Sequence, residues 1–540
     1  PWPLRLGILM ALMTACVPAM RADRWWDPNN TAVGLGNTGT WNTTDPFWSP
    51  NSDGVSGPYS AWNNAALDDA FFGGTAGTVT LGQPITVHNM NFLINGYVLS
   101  GDTLSLGGVA PTITTNAGVG ATINSVIAGT SGLVKAGTGN LALNGVNTFS
   151  GGVNVTAGGL FVNGNAALGN LANIINMANG TRLDVGSTGG GLAGRTGSLT
   201  GGVSILGAGA GSGFYTGSGN PTFQGVALSN DLNNYTGRTS FFGGTGSSFT
   251  SIADLGIASS LGAPTTAADG LITIGSSGQT NAVLDYFGDG DSSNRNWQIN
   301  PPPGPSGEAS HLRNRGTGTL TLTGNIALGG SAGNGAQFRA VSADMELLGV
   351  ISANSGRDVW FIADADRTVR LGDANTFVGR GVVRGAGQVE VGTIADTGVV
   401  SSLGAGSIIN ISADGTLSYT GAGASSDRDW QHHGGTLANN GSGALTLSGA
   451  MNLIGVATLG GSFTGADNAI SGVIDGTGNL RSGGNATWVL TGANTYTGST
   501  VVDSGVLRAG TAAAFGASTV AQVNGGTLDM NDFDKTLTTL

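Results

Sequence analysis

The chain has 540 residues, of which 98 are glycine and 10% are charged, with a formal net charge of −12, against roughly 7% glycine and roughly 25% charge in an average soluble protein. Its 20 basic residues are spread thinly over an acidic chain and cannot neutralise a run of phosphates, which excludes nucleic acid and anionic lipid as partners. Glycine and proline together stay below the share that marks low-complexity disorder and no G-X-Y period is present, while 39% hydrophobic residues suffice for a core.

Residues 1–22 read as a secretory signal. Arg5 supplies the positive start, Leu6 to Met20 form an apolar stretch too short to span a bilayer, and Ala19 or, preferably, Ala22 offers a cleavage site. Cys16, the single cysteine, lies inside this segment as a small apolar residue. The exported chain is therefore expected to lack disulfides and to draw its stability from stacked backbone and buried side chains.

Residues 23–110 contain five of the ten tryptophans (Trp25, Trp26, Trp41, Trp48 and Trp62), ahead of strand-like stretches from Thr78 to Leu81 and from Asn91 to Leu106. A stack of strands exposes a backbone edge at its end, and this aromatic region is predicted to be its N-terminal cap and first coils. Burial is the expected role of the rings, with a stacking platform for sugars as the alternative.

From residue 111 to 540 the chain is repetitive. Four Asn-x-aromatic-x-Gly segments begin at Asn147, Asn233, Asn375 and Asn494, and each is followed further along by an apolar-Gly pair: Leu168-Gly169, Leu261-Gly262, Leu403-Gly404 and Phe515-Gly516. A second element, Gly316-Thr317-Gly318-Thr319-Leu320-Thr321-Leu322-Thr323-Gly324, recurs at 441–449 and more loosely at 137–145; leucines two apart predict one short strand between two corners. A third element runs from Leu284 through Tyr286, Gly288, Gly290, Ser293 and Arg295 to Trp297, and its copy runs from Leu417 through Tyr419, Gly421, Gly423, Ser426 and Arg428 to Trp430. Its shared positions alternate except for a slip at Ser292-Ser293, which predicts strand, corner, strand. Such short, closely spaced strands leave a parallel β-solenoid or an antiparallel stack, and the small residues and glycine corners favour the solenoid.

The segments Gly132-Leu133-Val134-Lys135-Ala136-Gly137 through Gly164 (132–164) and Gly472-Val473-Ile474 through Leu507-Arg508 (472–508) resemble bacterial autotransporter-associated β-strand repeats, also called passenger-associated transport repeats. The Trp-rich opening and the closing Asn524 to Asn531 are similar to this family too. The resemblance implies a right-handed parallel β-helix displayed outside the cell, with no activity assigned to the repeat. Retention at the outer membrane would then need a C-terminal barrel beyond Leu540.

Parallel β-helices also host polysaccharide-cleaving enzymes, so paired carboxylates are the natural candidates for acid/base chemistry. Asp427 and Asp429 correspond to Asn294 and Asn296 in the other copy, which marks them as polar filler, and Asp68-Asp69 lies in the cap. Asp285, Asp289 and Asp291 lack the glycine and bidentate glutamate of a calcium loop, and Ser418, Ala422 and Ala424 replace them in the second copy. Adjacent strand residues face opposite ways, so His432-His433 makes a poor metal site, and His88 and His311 are the only other histidines. Glycines 189–191 are solenoid corners without a following helix to cradle phosphate. Trp297 and Trp430 are coil landmarks. The expectation is an exported structural or adhesive passenger at the cell surface or outside the cell, with no catalytic, cofactor or metal residues, whose partners are extracellular polysaccharide or other cells. A glycan-binding module acting through the cap aromatics and a polysaccharide-degrading enzyme are the alternatives.

Overall fold

The computed structural model describes residues 21–29, 33–186, 191–243, 246–275, 282–301, 311–329, 335–353, 356–412, 414–517 and 520–534; residues 1–20 of the expected signal 1–22 lie outside them. The described residues fall into two compact units, one running to Gly152 and including Leu168–Asn170, the other formed by Val153–Ala167 and the chain from Leu171 onward. Strands of two to five residues dominate both, and two short 3-10 turns, Asn165–Leu168 and Ala208–Ser212, are the helical elements among the described residues.

In the first unit, strands Asp23–Trp26, Asp69–Phe72, Met90–Phe92, Thr112–Thr115 and Leu133–Ala136 pair in parallel in that order. A second row runs Gly39–Trp41, Thr78–Leu81, Tyr97–Gly101, Gly120–Ile123, Asn140–Leu143, and a third Ile85–Val87, Leu104–Leu106, Ile127–Ala128. Each strand pairs with one from the next coil and not with its chain neighbour, which defines a parallel β-solenoid. Alternation explains the local choice of face: in Thr78–Leu81 the threonines are exposed while Val79 and Leu81 are buried. Trp48–Ser49 runs antiparallel to Asp23–Trp26 and covers the outer edge of the first row, as a cap must.

The second unit repeats this plan with more rows. One row runs from Ala227–Leu228 to Ile474–Gly476 and another from Asp291–Ser293 to Ala521–Val523. Leu417, Leu437 and Leu459 stack in register as successive partners inside the coils. The x-L-x-L copies each form one strand, Leu320–Leu322, Gly443–Leu447 and Asn140–Leu143. The Tyr-Trp element contains one strand more than the sequence suggests: Val283–Tyr286, Asp291–Ser293 and Trp297–Ile299, copied as Thr416–Tyr419, Ala422–Ser426 and Asp429–His432. The parity slip marks the corner that follows Ser293, and the glycines before it make a second corner. There the Tyr286 and Tyr419 hydroxyls accept the backbone N–H of Gly290 and Gly423 at 3.0 and 2.8 Å.

The Asn-x-aromatic motif proves to be a clamp between coils. The side-chain oxygens of Asn147, Asn233, Asn375 and Asn494 accept the backbone N–H of Ile127, Tyr215, Ile351 and Ile474 at 2.7 to 2.8 Å. In the last three, the amide nitrogen donates to Ser260, Ser402 and Ala514 carbonyls on the excursion that follows. An asparagine amide has the geometry of a peptide group, so it continues the ladder where the backbone leaves it. The aromatic rings of Phe149, Tyr235, Phe377 and Tyr496 are fully buried. Their carbonyls accept an N–H from Asn170, Ala263, Ala405 and Ala517 as the excursion returns. Gly262 and Gly404 stand against the ring and carbonyl at φ +79° and +74°, where a Cβ would be both strained and blocked.

Candidate functional site

The described candidates for catalysis and metal binding are dispersed, and most are already engaged. Asp427 accepts the Thr397 N–H at 2.6 Å and Asp429 the Ala450 N–H at 3.0 Å. Their counterparts Asn294 and Asn296 cap Leu255 and Asn325 in the same way. These positions are caps on neighbouring loops, where an acceptor oxygen is required and the charge is not. Asp68 accepts from the Ala22 N–H and Arg24, and Asp69 pairs with His88 at 2.8 Å and with Asn89. Asp285 is held by Arg313, Asp291 accepts from the Tyr286 hydroxyl and the Ile252 N–H, and Asp289 is exposed, so the three do not converge. No group of three or more His, Cys, Asp or Glu side chains able to hold a metal occurs among the described residues. The His311 side chain and glycines 189 and 190 lie outside them.

His432 and His433 point to opposite faces, as adjacent strand residues must. His432 is fully buried between its register partners Ile411 and Leu453, and neither ring nitrogen has a hydrogen-bond partner among the described residues. Burial, with a smaller contribution from His433, pushes its pKa down to about 4. An unfolded histidine titrates near 6.5, so as the pH falls from about 6.5 to about 4 the unfolded chain binds a proton that the native chain refuses. Native stability drops by up to roughly 3 kcal/mol across that window. Denaturant melts at pH 7 and pH 4.5 should show His432→Leu losing less stability on acidification than the parent chain. Identical losses in the two proteins would contradict this account.

The cap tryptophans are core. Trp26, Trp41 and Trp48 are 0% exposed and Trp62 is 3% exposed. Their rings pack on one another and on Phe72, with centroid separations of 4.6 to 6.0 Å. No open ring face remains on these four for a sugar. Half-buried Trp25 stacks on Phe71 at 4.6 Å. Trp297 and Trp430, at 1% exposed, are buried landmarks of the coil.

The structure instead opens a groove that no sequence motif announces, on the outward face of one sheet in the second unit. Trp360, Val382, Asn410 and Gln431 are successive register partners on strands Val359–Ala363, Gly381–Arg384, Ile408–Ile411 and Asp429–His432. One step along, Arg313, Arg339, Ile362 and Arg384 form a parallel column. Trp360, Arg380, Val382, Arg384, Asn410 and His433 line a cavity of about 420 Å³, and a second of about 520 Å³ shares Arg380. Val382 and Ile362 face outward yet are 4% and 8% exposed, because the long rim side chains cover them. Many outward positions elsewhere are small and polar, such as Thr80, Thr122 and Thr222.

A parallel β-solenoid with peptide-like asparagine clamps and a groove on one sheet face defines a repeat-built scaffold that presents surface. Comparison with known proteins makes this more specific. Residues 133–160 and 483–509 match the passenger-associated-transport-repeat family. Over 99% of its length the chain is 50% identical to the "Adhesin BmaC autotransporter" of Brucella suis biovar 1 (strain 1330), of which it spans 16%. No solved structure matches. The chain is thus a β-solenoid that carries the passenger-associated transport repeat, and its likeness to an autotransporter adhesin runs through nearly its whole length.

Proposed function

We propose that the chain forms part of the exported passenger of an autotransporter adhesin, a non-catalytic scaffold that holds adhesive surface away from the cell. The observation that carries this reading is the 50% identity to an adhesin autotransporter over 99% of the chain. The architecture supports it. Stacked coils require neither disulfides nor cofactors for stability, and each adds two or three short strands of exterior face. Most of the carboxylates and histidines singled out for chemistry are instead spent on caps, ion pairs and core. In this reading residues 23–110 serve as the cap and first coils of this scaffold and residues 111–540 as its repeats, with 1–22 directing export.

Intact producing cells treated with protease should lose epitopes of this chain while a periplasmic marker survives. Beads coated with residues 23–540 should adhere to an epithelial monolayer above albumin-coated beads. Protection of the epitopes in intact cells, or adhesion no better than albumin, would overturn the reading.

A further inference from the structure

We infer that the Trp360 groove is a binding subsite for an acidic saccharide, with the sugar ring stacked on the indole and its carboxylate held by Arg384. This deepens the adhesive reading and rests on it. The chemistry follows from the state of each guanidinium. Arg313 is paired with Asp285, Arg339 with Asp364, and Arg380 with Asp358 at 2.6 Å, where the aspartate hydrogen bonds raise the Arg380 pKa. Exposed Arg384 has no carboxylate partner among the described residues; its guanidinium lies 6.0 Å over the Trp360 ring and would turn off that face to meet the carboxylate as the sugar takes its place. One uncommitted planar fork beside a half-buried indole suits a single carboxylate attached to a flat apolar face. A hexuronate ring has that combination, since its axial C–H groups stack on an aromatic while its equatorial acid projects from the edge, and a sialate likewise joins an apolar face to a single carboxylate.

The rest of the rim fits hydroxyls. Ser412 donates to the Asn410 side-chain oxygen at 3.0 Å, leaving its own oxygen as an acceptor, and exposed His433 stands beside it. The volume of about 420 Å³ falls within the roughly 300 to 1,000 Å³ of small-ligand sites. The adjoining cavity shared at Arg380 gives room for a second ring. Competing occupants fit less well. A polyanion needs a run of free cations, and here Asp285, Asp358 and Asp364 neutralise the neighbouring arginines on a chain of net charge −12. An extended peptide adding to the sheet needs free backbone edges, and the strands under the groove are paired with a coil on both sides.

The test is titration of residues 23–540 with a galacturonic-acid trisaccharide and a sialyl-lactose, each beside its methyl ester, following Trp fluorescence and calorimetry. Binding of one acid at least tenfold tighter than of its ester is expected, and which acid responds identifies the source of the carboxylate. Arg384→Ala should erase the acid-over-ester preference, Arg384→Lys should restore part of it, and Trp360→Ala should cut binding of both forms at least tenfold. Circular dichroism of each variant should match the parent, since both side chains lie outside the core. Equal affinity for acid and ester, binding unchanged in both variants, or no binding of either acid would overturn the inference. Adhesion of beads coated with the same proteins separates the two claims: adhesion that persists without acid binding sinks the groove and leaves the adhesive role standing, whereas loss of adhesion in the parent chain sinks the adhesive role itself.

Discussion

Truncating Trp48 to alanine should cost roughly 3 to 5 kcal/mol, as expected for removing a large fully buried side chain, and should loosen the first coils. The ring is 0% exposed and sits among Trp26, Trp41, Trp62 and Phe72. Its backbone exchanges hydrogen bonds with Ser60 at 3.0 and 3.1 Å while it pairs with Trp26, so one residue joins the capping strand to the edge it covers. Coils of a solenoid contact mainly their neighbours, so the damage should appear first as lost amide protection in Asp69–Phe72 and Met90–Phe92. The indole N–H of Trp48 is buried without a partner among the described residues, unlike those of Trp26 and Trp62, which donate to Asn37 and Thr86 carbonyls at 2.9 Å. Trp48→Phe removes that unpaired donor along with part of the ring and should cost far less than the alanine variant. Half-buried Trp25→Ala is the control and should cost about 1 kcal/mol. Hydrogen exchange and near-ultraviolet circular dichroism read all three. Equal effects of Trp25→Ala and Trp48→Ala would remove the claim that the cluster is the seal.

The second large effect is expected at Arg428. This side chain is 1% exposed, and its guanidinium donates to the carbonyls of Leu403, Gly404 and Val399 at 3.1, 2.5 and 2.9 Å. These carbonyls belong to the excursion that leaves and rejoins the coil next to Phe377. Arg295, its counterpart, donates to Leu261 and Gly270 carbonyls at 2.6 and 2.9 Å in the corresponding excursion. Burial lowers the pKa of both arginines, that of Arg295 to about 10, and the charge is tolerated because carbonyl oxygens replace its water. Arg428→Met keeps the hydrophobic stem and strands the carbonyls, at a cost of roughly 3 kcal/mol. Elastase should then cut at exposed Val399-Val400, and the Ala405 N–H, bonded to the Phe377 carbonyl at 2.7 Å, should exchange faster. Unchanged cleavage and exchange would show that the excursion is held by the Asn375 clamp alone.

How far these features are legible in the sequence depends on the range of the contact involved. Strand faces such as Thr78 to Leu81 are readable because alternation is decided within a few residues. The Asn-x-aromatic motif, its distant apolar-Gly partner, and the shared Arg295 and Arg428 are all visible as repeats, but what they do is not. Asn375 bonds Ile351 on one side and Ser402 on the other, and Arg428 reaches Leu403, so each partner lies 24 to 27 residues away. The asparagine counterparts of Asp427 and Asp429 argue against catalysis at those positions, while the N–H groups that they cap cannot be named from the sequence.

Composition and periodicity by themselves determined an all-β chain of short strands with glycine corners, an aromatic-rich opening, coil-landmark tryptophans and a surface too sparsely basic for nucleic acid, because these depend on residue type and spacing along the chain. The tertiary structure alone decided that Trp360, Arg384, Asn410 and His433 meet in one groove and that His432 lies bare in the core. Coil length varies along the solenoid: Thr416 pairs with Thr436, whereas Val382 pairs with Asn410, across a visibly longer stretch of chain. A change of one residue in a coil carries a side chain to the opposite face of its sheet, so which outward residues become neighbours is settled only when the coils have stacked.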